Sequence, residues 1–144
     1  MKNARAFLFI FLFLIIAFSG CNKNIAEETQ NIEAEKNQAF KTIATGSTQT
    51  NDVLIGLTPA RVENNRLEVN FVANTHSVDL SQFDLMKITT LVYENKQVKP
   101  ISVPALSGHH SSGELVFVVD KIPNNFKITI KNIPNIEERI FEWP

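Results

Sequence analysis

Residues 53–144 of this 144-residue chain predict an all-β fold, an antiparallel β-sandwich of about seven strands, on three observations. Apolar residues recur with period two. Leu67, Val69, Phe71 and Ala73 alternate with Glu68 and Asn70, and Phe126, Ile128 and Ile130 alternate with Lys127, Thr129 and Lys131. Such alternation places one face of a strand in a core and the other in water. Turn formers recur roughly every ten residues, at Glu63-Asn64-Asn65, Glu94-Asn95-Lys96, Pro123-Asn124-Asn125 and Pro134-Asn135. The chain is 44% hydrophobic and 20% charged, as an ordinary globular protein is, and its length has room for one domain but no second large one. Short strands at this spacing define a sandwich of the immunoglobulin-like kind.

The strands expected in order are residues 53–58, 67–73, 88–94, 97–103, 114–119, 126–131 and 139–143. Pro100 and Pro104 confine the fourth of these to a sheet edge, because proline cannot donate to a ladder. The Glu114–Val119 stretch is apolar on both faces and is expected to be central. Between the second and third strands, Asp79 and Gln82 have capping-box spacing. They predict a short helical turn over residues 79–86 that lays Leu80, Phe83 and Leu85 over the open end of the sandwich. The last strand brings Phe141 and Trp143 to the core, with Arg139 on the same face and Asp79 or Glu114 as its expected partner.

Upstream, Lys2 and Arg5 precede an unbroken apolar run at positions 6–18. Thirteen residues fall short of the roughly 20 that a permanent membrane helix needs, and the run ends in the small residues Ser19 and Gly20 before Cys21. Residues 1–20 therefore read as a cleaved signal peptide. Phe18-Ser19-Gly20-Cys21 resembles the lipobox of bacterial lipoproteins, with Phe18 standing where that motif usually carries Leu or another aliphatic residue. The resemblance implies that the Cys21 thiol receives a diacylglyceryl group, that the chain is cut before it, and that the new amino group is acylated with a fatty acid such as palmitate. Several acyl chains exceed the two signals that stable anchoring takes. The expected location is the bacterial cell envelope, lipid-anchored on the extracytoplasmic side of the outer or cytoplasmic membrane. The competing reading is a plain secreted protein with an incidental cysteine.

Residues 21–52 carry Asn, Gln, Glu, Lys, Thr and Ser with few large apolar side chains. Such a composition buries too little surface to offset the entropy of ordering, so this segment is expected to be a flexible linker between the lipid and a domain at 53–144. Ile25, Ile32, Phe40 and Ile43 form a weak amphipathic stripe within it.

The chain has three histidines, and all fall in two polar corners: His76 in Thr75-His76-Ser77, and His109 and His110 in Gly108-His109-His110-Ser111-Ser112-Gly113. Counting strand directions brings both corners to one end, with Met86, Glu137 and Glu138. A loop between Gly108 and Gly113 is expected to aim both adjacent rings at one point, and three neutral imidazoles around an open position suit zinc or copper. Met86 as a thioether ligand would favour copper, although a methionine in an apolar turn commonly fills a core gap. Asp79 reads as a cap more than as a ligand. The plainer alternative is that the histidines hydrogen-bond loop backbone or face water.

With a single cysteine there is no intramolecular disulfide and no Cys-rich metal site. The net charge of −1 with scattered Lys and Arg excludes the electrostatic footprint of a nucleic-acid binder. No phosphate loop, no G-x-S-x-G elbow and no H-E-x-x-H occurs, and Ser111 or Ser112 beside His76 or His109 is a weak nucleophile–base pairing. The pattern THSxDL (residues 75–80), GHHxxGxLxF (108–117) and RxFxW (139–143) is similar to small uncharacterised extracytoplasmic β-domains found as lipoproteins. It implies the domain limits and no activity. The expected function is a non-enzymatic, membrane-anchored binding module that holds copper or zinc through His76, His109 and His110. The alternative is a structural or protein-interaction lipoprotein whose end loops contact a partner protein.

Overall fold

The computed structural model describes residues 40–121 and 123–144. In chain order the strands are β1 (Ile43–Thr45), β2 (Leu54–Glu63), β3 (Arg66–Asn74), β4 (Thr89–Tyr93), β5 (Lys96–Val98), β6 (His110–Val118), β7 (Phe126–Ile133) and β8 (Ile136–Trp143). A 3-10 turn at Leu80–Gln82 and a one-turn helix α1 (Leu85–Ile88) lie between β3 and β4.

Asparagine turns set the hairpin registers. Asn64 and Asn65 both have positive φ, 50° and 60°, as do Glu94 and Asn95 at 44° and 65°. Two residues in that conformation match the twist of the flanking strands, which closes β2 on β3 and β4 on β5 with two-residue loops. Pro134 followed by Asn135 at φ 65° turns β7 into β8 with Ile133 opposite Ile136. Proline at the first corner and asparagine at the second are the residues a type II turn selects.

These hairpins assemble two antiparallel sheets, ordered β1-β2-β3-β6 and β5-β4-β7-β8. The connectivity is immunoglobulin-like: β2, β3 and β6 follow strands A, B and E of that fold, and β4, β7 and β8 follow C, F and G. The core lies between the sheets. Leu57, Leu67, Val69, Phe71, Leu91, Leu115, Phe117, Ile128 and Phe141 are all buried there, and each sits on the inward phase of its strand.

Four expectations need correction. There are eight strands, because Ile43–Thr45 pairs with Leu57–Ile55 of β2. The folded unit therefore reaches upstream of Val53, as far as Phe40 among the described residues. Phe40 packs edge-on against Phe126 with ring centroids 5.7 Å apart, and Trp143 Nε1 donates to the Lys41 carbonyl at 2.7 Å. The expected linker is thus shorter, and its residues 22–39, like Cys21 and the signal peptide, lie outside the described residues. Second, β2 continues through Pro59 to Glu63. A bulge between Pro59 and Arg61 falls just past the last β1 partner, so the missing proline N–H breaks no ladder bond there.

Third, the expected strand over 97–103 divides. Lys96–Val98 forms the β5 edge as the prolines require, the chain crosses at buried Pro100, and Ile101 N and Ser102 O then bond Val116 of the other sheet at 2.7 and 3.0 Å. Residues 101–102 take the place of strand D. Fourth, β6 starts four residues earlier than expected and is the last strand of its sheet, covered by residues 101–102 and not central. Gly113, expected in a loop, pairs with Phe71 inside β6. A Cβ there would meet Pro104 Cβ at 2.6 Å, so the absent side chain lets the 103–106 segment lie on the strand.

Candidate functional site: the histidine end of the sandwich

The last pair of the β3–β6 ladder is Asn74 with His110, so both polar corners meet at one end, as strand counting predicts. Backbone bonds clip them together: Thr75 N–H donates to the His109 carbonyl at 3.0 Å, and Leu80 N–H to the Gly108 carbonyl at 2.9 Å. Thr75 is wholly buried. Its hydroxyl donates to the Asp52 carbonyl at 2.7 Å and accepts from the amides of Ser77 and Val78, which shapes the His76 turn. From the other side, Asn51 N–H reaches Ser77 Oγ at 2.7 Å.

The predicted cap forms. Asp79 Oδ1 accepts from Ser81 N–H at 3.0 Å, and Gln82 Nε2 reaches back to the Asp79 carbonyl at 2.7 Å. The Ser81 hydrogen bonds hold the Asp79 carboxyl below its ordinary range, with a smaller contribution from His109. Asp79 therefore serves as a cap. A second cap went unseen in the sequence: Asp84 Oδ1 accepts from Met86 N–H at 3.1 Å and starts α1. Leu80 and Leu85 are buried beneath these turns and close the sandwich end. Met86 is 41% exposed and fills no core gap.

Each imidazole of the pair has one nitrogen fixed. His109 Nδ1 lies 3.0 Å from the Val78 carbonyl, and His110 Nδ1 lies 2.9 Å from Asn74 Oδ1. A carbonyl oxygen can only accept, so Nδ1 carries the proton in both rings and a neutral ring keeps its lone pair on Nε2. This arrangement orients metal-ligating histidines, but the rings diverge. His110 opens β6 and projects from the outer face of its sheet beside Asn74, while His109 sits in the turn and leans over the end toward Val78. Alternation along a strand sends neighbours to opposite sides. Among the described residues no group of three or more His, Cys, Asp or Glu is placed to share an ion. The convergent three-histidine site expected from the sequence is not formed by these rings.

Ser111 is turned inward. Its hydroxyl accepts from Ser107 N–H at 2.9 Å and donates to the Ser107 carbonyl at 3.1 Å, so it closes the 107–111 turn.

The charge at the centre of this end is Arg139, whose side chain is fully buried. Its Nη1 donates to the carbonyls of Ile133 and Ile136 at 2.8 and 2.9 Å. Its Nη2 donates to the carbonyls of Pro134 and Val53 at 3.0 and 3.2 Å and reaches Asp52 Oδ1 at 3.4 Å. Burial lowers the Arg139 pKa and Asp52 opposes that shift. Burial also pushes the Asp52 carboxyl up, but the Ser47 hydroxyl, the Val53 amide and Arg139 together hold it below its ordinary value. Arg139 thus pins the β7–β8 turn to the start of β2. Neither Asp79 nor Glu114, its expected partners, takes part.

Among the described residues no helix is long and apolar enough to cross a membrane. No family model, curated protein or solved structure matches this chain.

Proposed function

We propose that this chain is a lipid-anchored extracytoplasmic lipoprotein, acylated at Cys21, whose sandwich is a non-enzymatic module that presents its histidine end to a protein partner in the bacterial cell envelope. One observation carries the reading. The chain joins the sandwich where Phe40 packs on Phe126 and Lys41 accepts from Trp143, and Phe126 and Trp143 lie at the end opposite His76 and His109. A tether of residues 22–39 from an acylated Cys21 would therefore attach at one end and leave the polar corners at the other. The lone cysteine directly after an apolar run supplies the anchor chemistry. The clipped backbone of residues 75–80 and 108–110 supplies a preorganised contact surface.

A photo-crosslinking residue tests this in cells. Placed at His76 or His109 it should yield a discrete adduct, and placed at Asn64, on the β2–β3 turn of the opposite end, it should not. Adducts from position 64 alone would contradict the reading.

The ion reading keeps one favourable observation, the fixing of Nδ1 in both His109 and His110. Copper and zinc titrations of untagged protein decide it. A site built on His109 and His110 binds at neutral pH, weakens on acidification because imidazole ligands must be neutral, and disappears in a His109→Ala, His110→Ala double variant. Failure of either ion to bind better than about 10 μM leaves the partner reading alone.

A further inference from the structure

The outer face of the β5-β4-β7-β8 sheet sorts its charges by strand. On β7 the outward residues are Lys127, Thr129 and Lys131, and on the adjacent edge strand β8 they are Glu142, Ile140 and Glu138. The ladder sets them side by side as Lys127 with Glu142, Thr129 with Ile140, and Lys131 with Glu138. A column of lysines thus runs beside a column of glutamates at matching heights. With two charges of each sign, these columns favour neither a polyanion nor a polycation.

The relief of the face is uneven at the same place. Thr90 stands opposite Thr129 in the β4–β7 ladder, and these two short side chains line a groove of about 220 Å³. Thr129 is only 7% exposed although it points outward, whereas Ile140, its neighbour on β8, is 48% exposed. A hole and an apolar knob therefore lie side by side, between the two charge columns.

We propose that this face binds a second copy of this chain, about a twofold axis that runs parallel to the strands between β7 and β8. Such an axis lays β7 of each copy over β8 of the other without changing height. Lys127 then meets the partner's Glu142, Lys131 meets the partner's Glu138, and the partner's Ile140 lies over Thr129 and enters the groove. Each contact occurs twice, as a self-complementary interface requires. A twofold axis across the strands would instead stack β7 on β7, opposing lysine to lysine, and β8 on β8, opposing glutamate to glutamate. Like charges facing each other suppress that arrangement. Two strands of contact fall at the low end of specific interfaces, so the dimer is weak, with a Kd on the order of 10–100 μM. Parallel strands also keep both Phe40 entry points at one end, which suits two chains held in one membrane. That fit alone rests on the proposed anchor, and the pairing does not.

Sedimentation equilibrium of the full chain in density-matched detergent, from about 1 to 300 μM, tests the pairing whether or not Cys21 is acylated. The parent should follow a monomer–dimer equilibrium. Ile140→Asp and Lys127→Glu should each weaken it about tenfold or more. Adding Glu142→Lys to Lys127→Glu should restore the dimer, whereas adding Glu138→Lys should not. An unchanged near-UV spectrum of Trp143 shows that each variant keeps its fold. A parent that stays monomeric to about 300 μM, dimerisation indifferent to Ile140→Asp, or equal restoration by Glu138→Lys each overturns the proposal.

Discussion

Arg139 Nη2 and Asp52 Oδ1, 87 positions apart in the chain, meet 3.4 Å apart beneath the histidine end, with the arginine side chain fully buried and the aspartate 13% exposed. Four backbone carbonyls accept from the two terminal nitrogens of the guanidinium, while its buried Nε has no hydrogen-bond partner among the described residues. Loss of one partner leaves the other charge buried without its counterpart. Asp52→Asn should therefore destabilise the domain by about 1–3 kcal/mol at neutral pH. Arg139→Ala should destabilise it by about 3–5 kcal/mol, since the carbonyls lose their donors as well. Denaturant melts of each variant measure both values. An Arg139→Ala protein as stable as the parent would remove the pin from the account.

The same pair sets an acid response. The folded Asp52 carboxyl lies below its ordinary 3.8, so its contribution is complete above that pH and is lost as pH falls through the lower folded value. The stability gap between the parent and Asp52→Asn should narrow on acidification below about pH 4. A gap that widens there would reverse the assigned sign.

At the opposite end, hydrogen bonds from Lys96 and Tyr93 draw the Asp120 carboxyl down to about 2, with Tyr93 Oη 2.8 Å from Asp120 Oδ1 and Lys96 in contact with Oδ2. Carboxyl NMR titration should find that low midpoint. In Lys96→Met it should move up toward 3.8, and an unmoved midpoint would show that Lys96 is not the main cause.

A chain that starts at Asn51 keeps Asp52 but loses β1, the Phe40–Phe126 contact and the hydrogen-bond acceptor of Trp143. Burial of one aromatic ring and one hydrogen bond predicts about 2–4 kcal/mol less stability than a chain that starts at Gln38. Trp143 fluorescence during urea unfolding compares the two. Equal midpoints would restore the boundary at residue 53.

The period-two strands were legible because Leu67, Val69, Phe71 and Ala73 display alternation over enough residues to be counted. Ile43–Thr45 is too short to show any period, and its polar neighbours made it read as linker. The first residues of β6, His110 to Gly113, have low strand propensity, and pairing with the end of β3 recruits them, a tertiary effect that outweighs local preference. That early start also explains the histidines. The corners meet as strand counting requires, but with β6 beginning at His110 the two adjacent rings fall on different sides of the chain. The link between Asp52 and Arg139 left no local signature, since nothing near either residue specifies a partner 87 positions away.

Metabolic labelling with an alkynyl palmitate analogue tests the proposed anchor at Cys21 most directly. The parent protein should incorporate the label and sediment with membranes, with a mature N-terminus at Cys21. The Cys21→Ala variant should lose the label and leave the membrane fraction. A Cys21→Ala protein that still carries the label and still sediments with membranes would contradict the lipid-anchored reading.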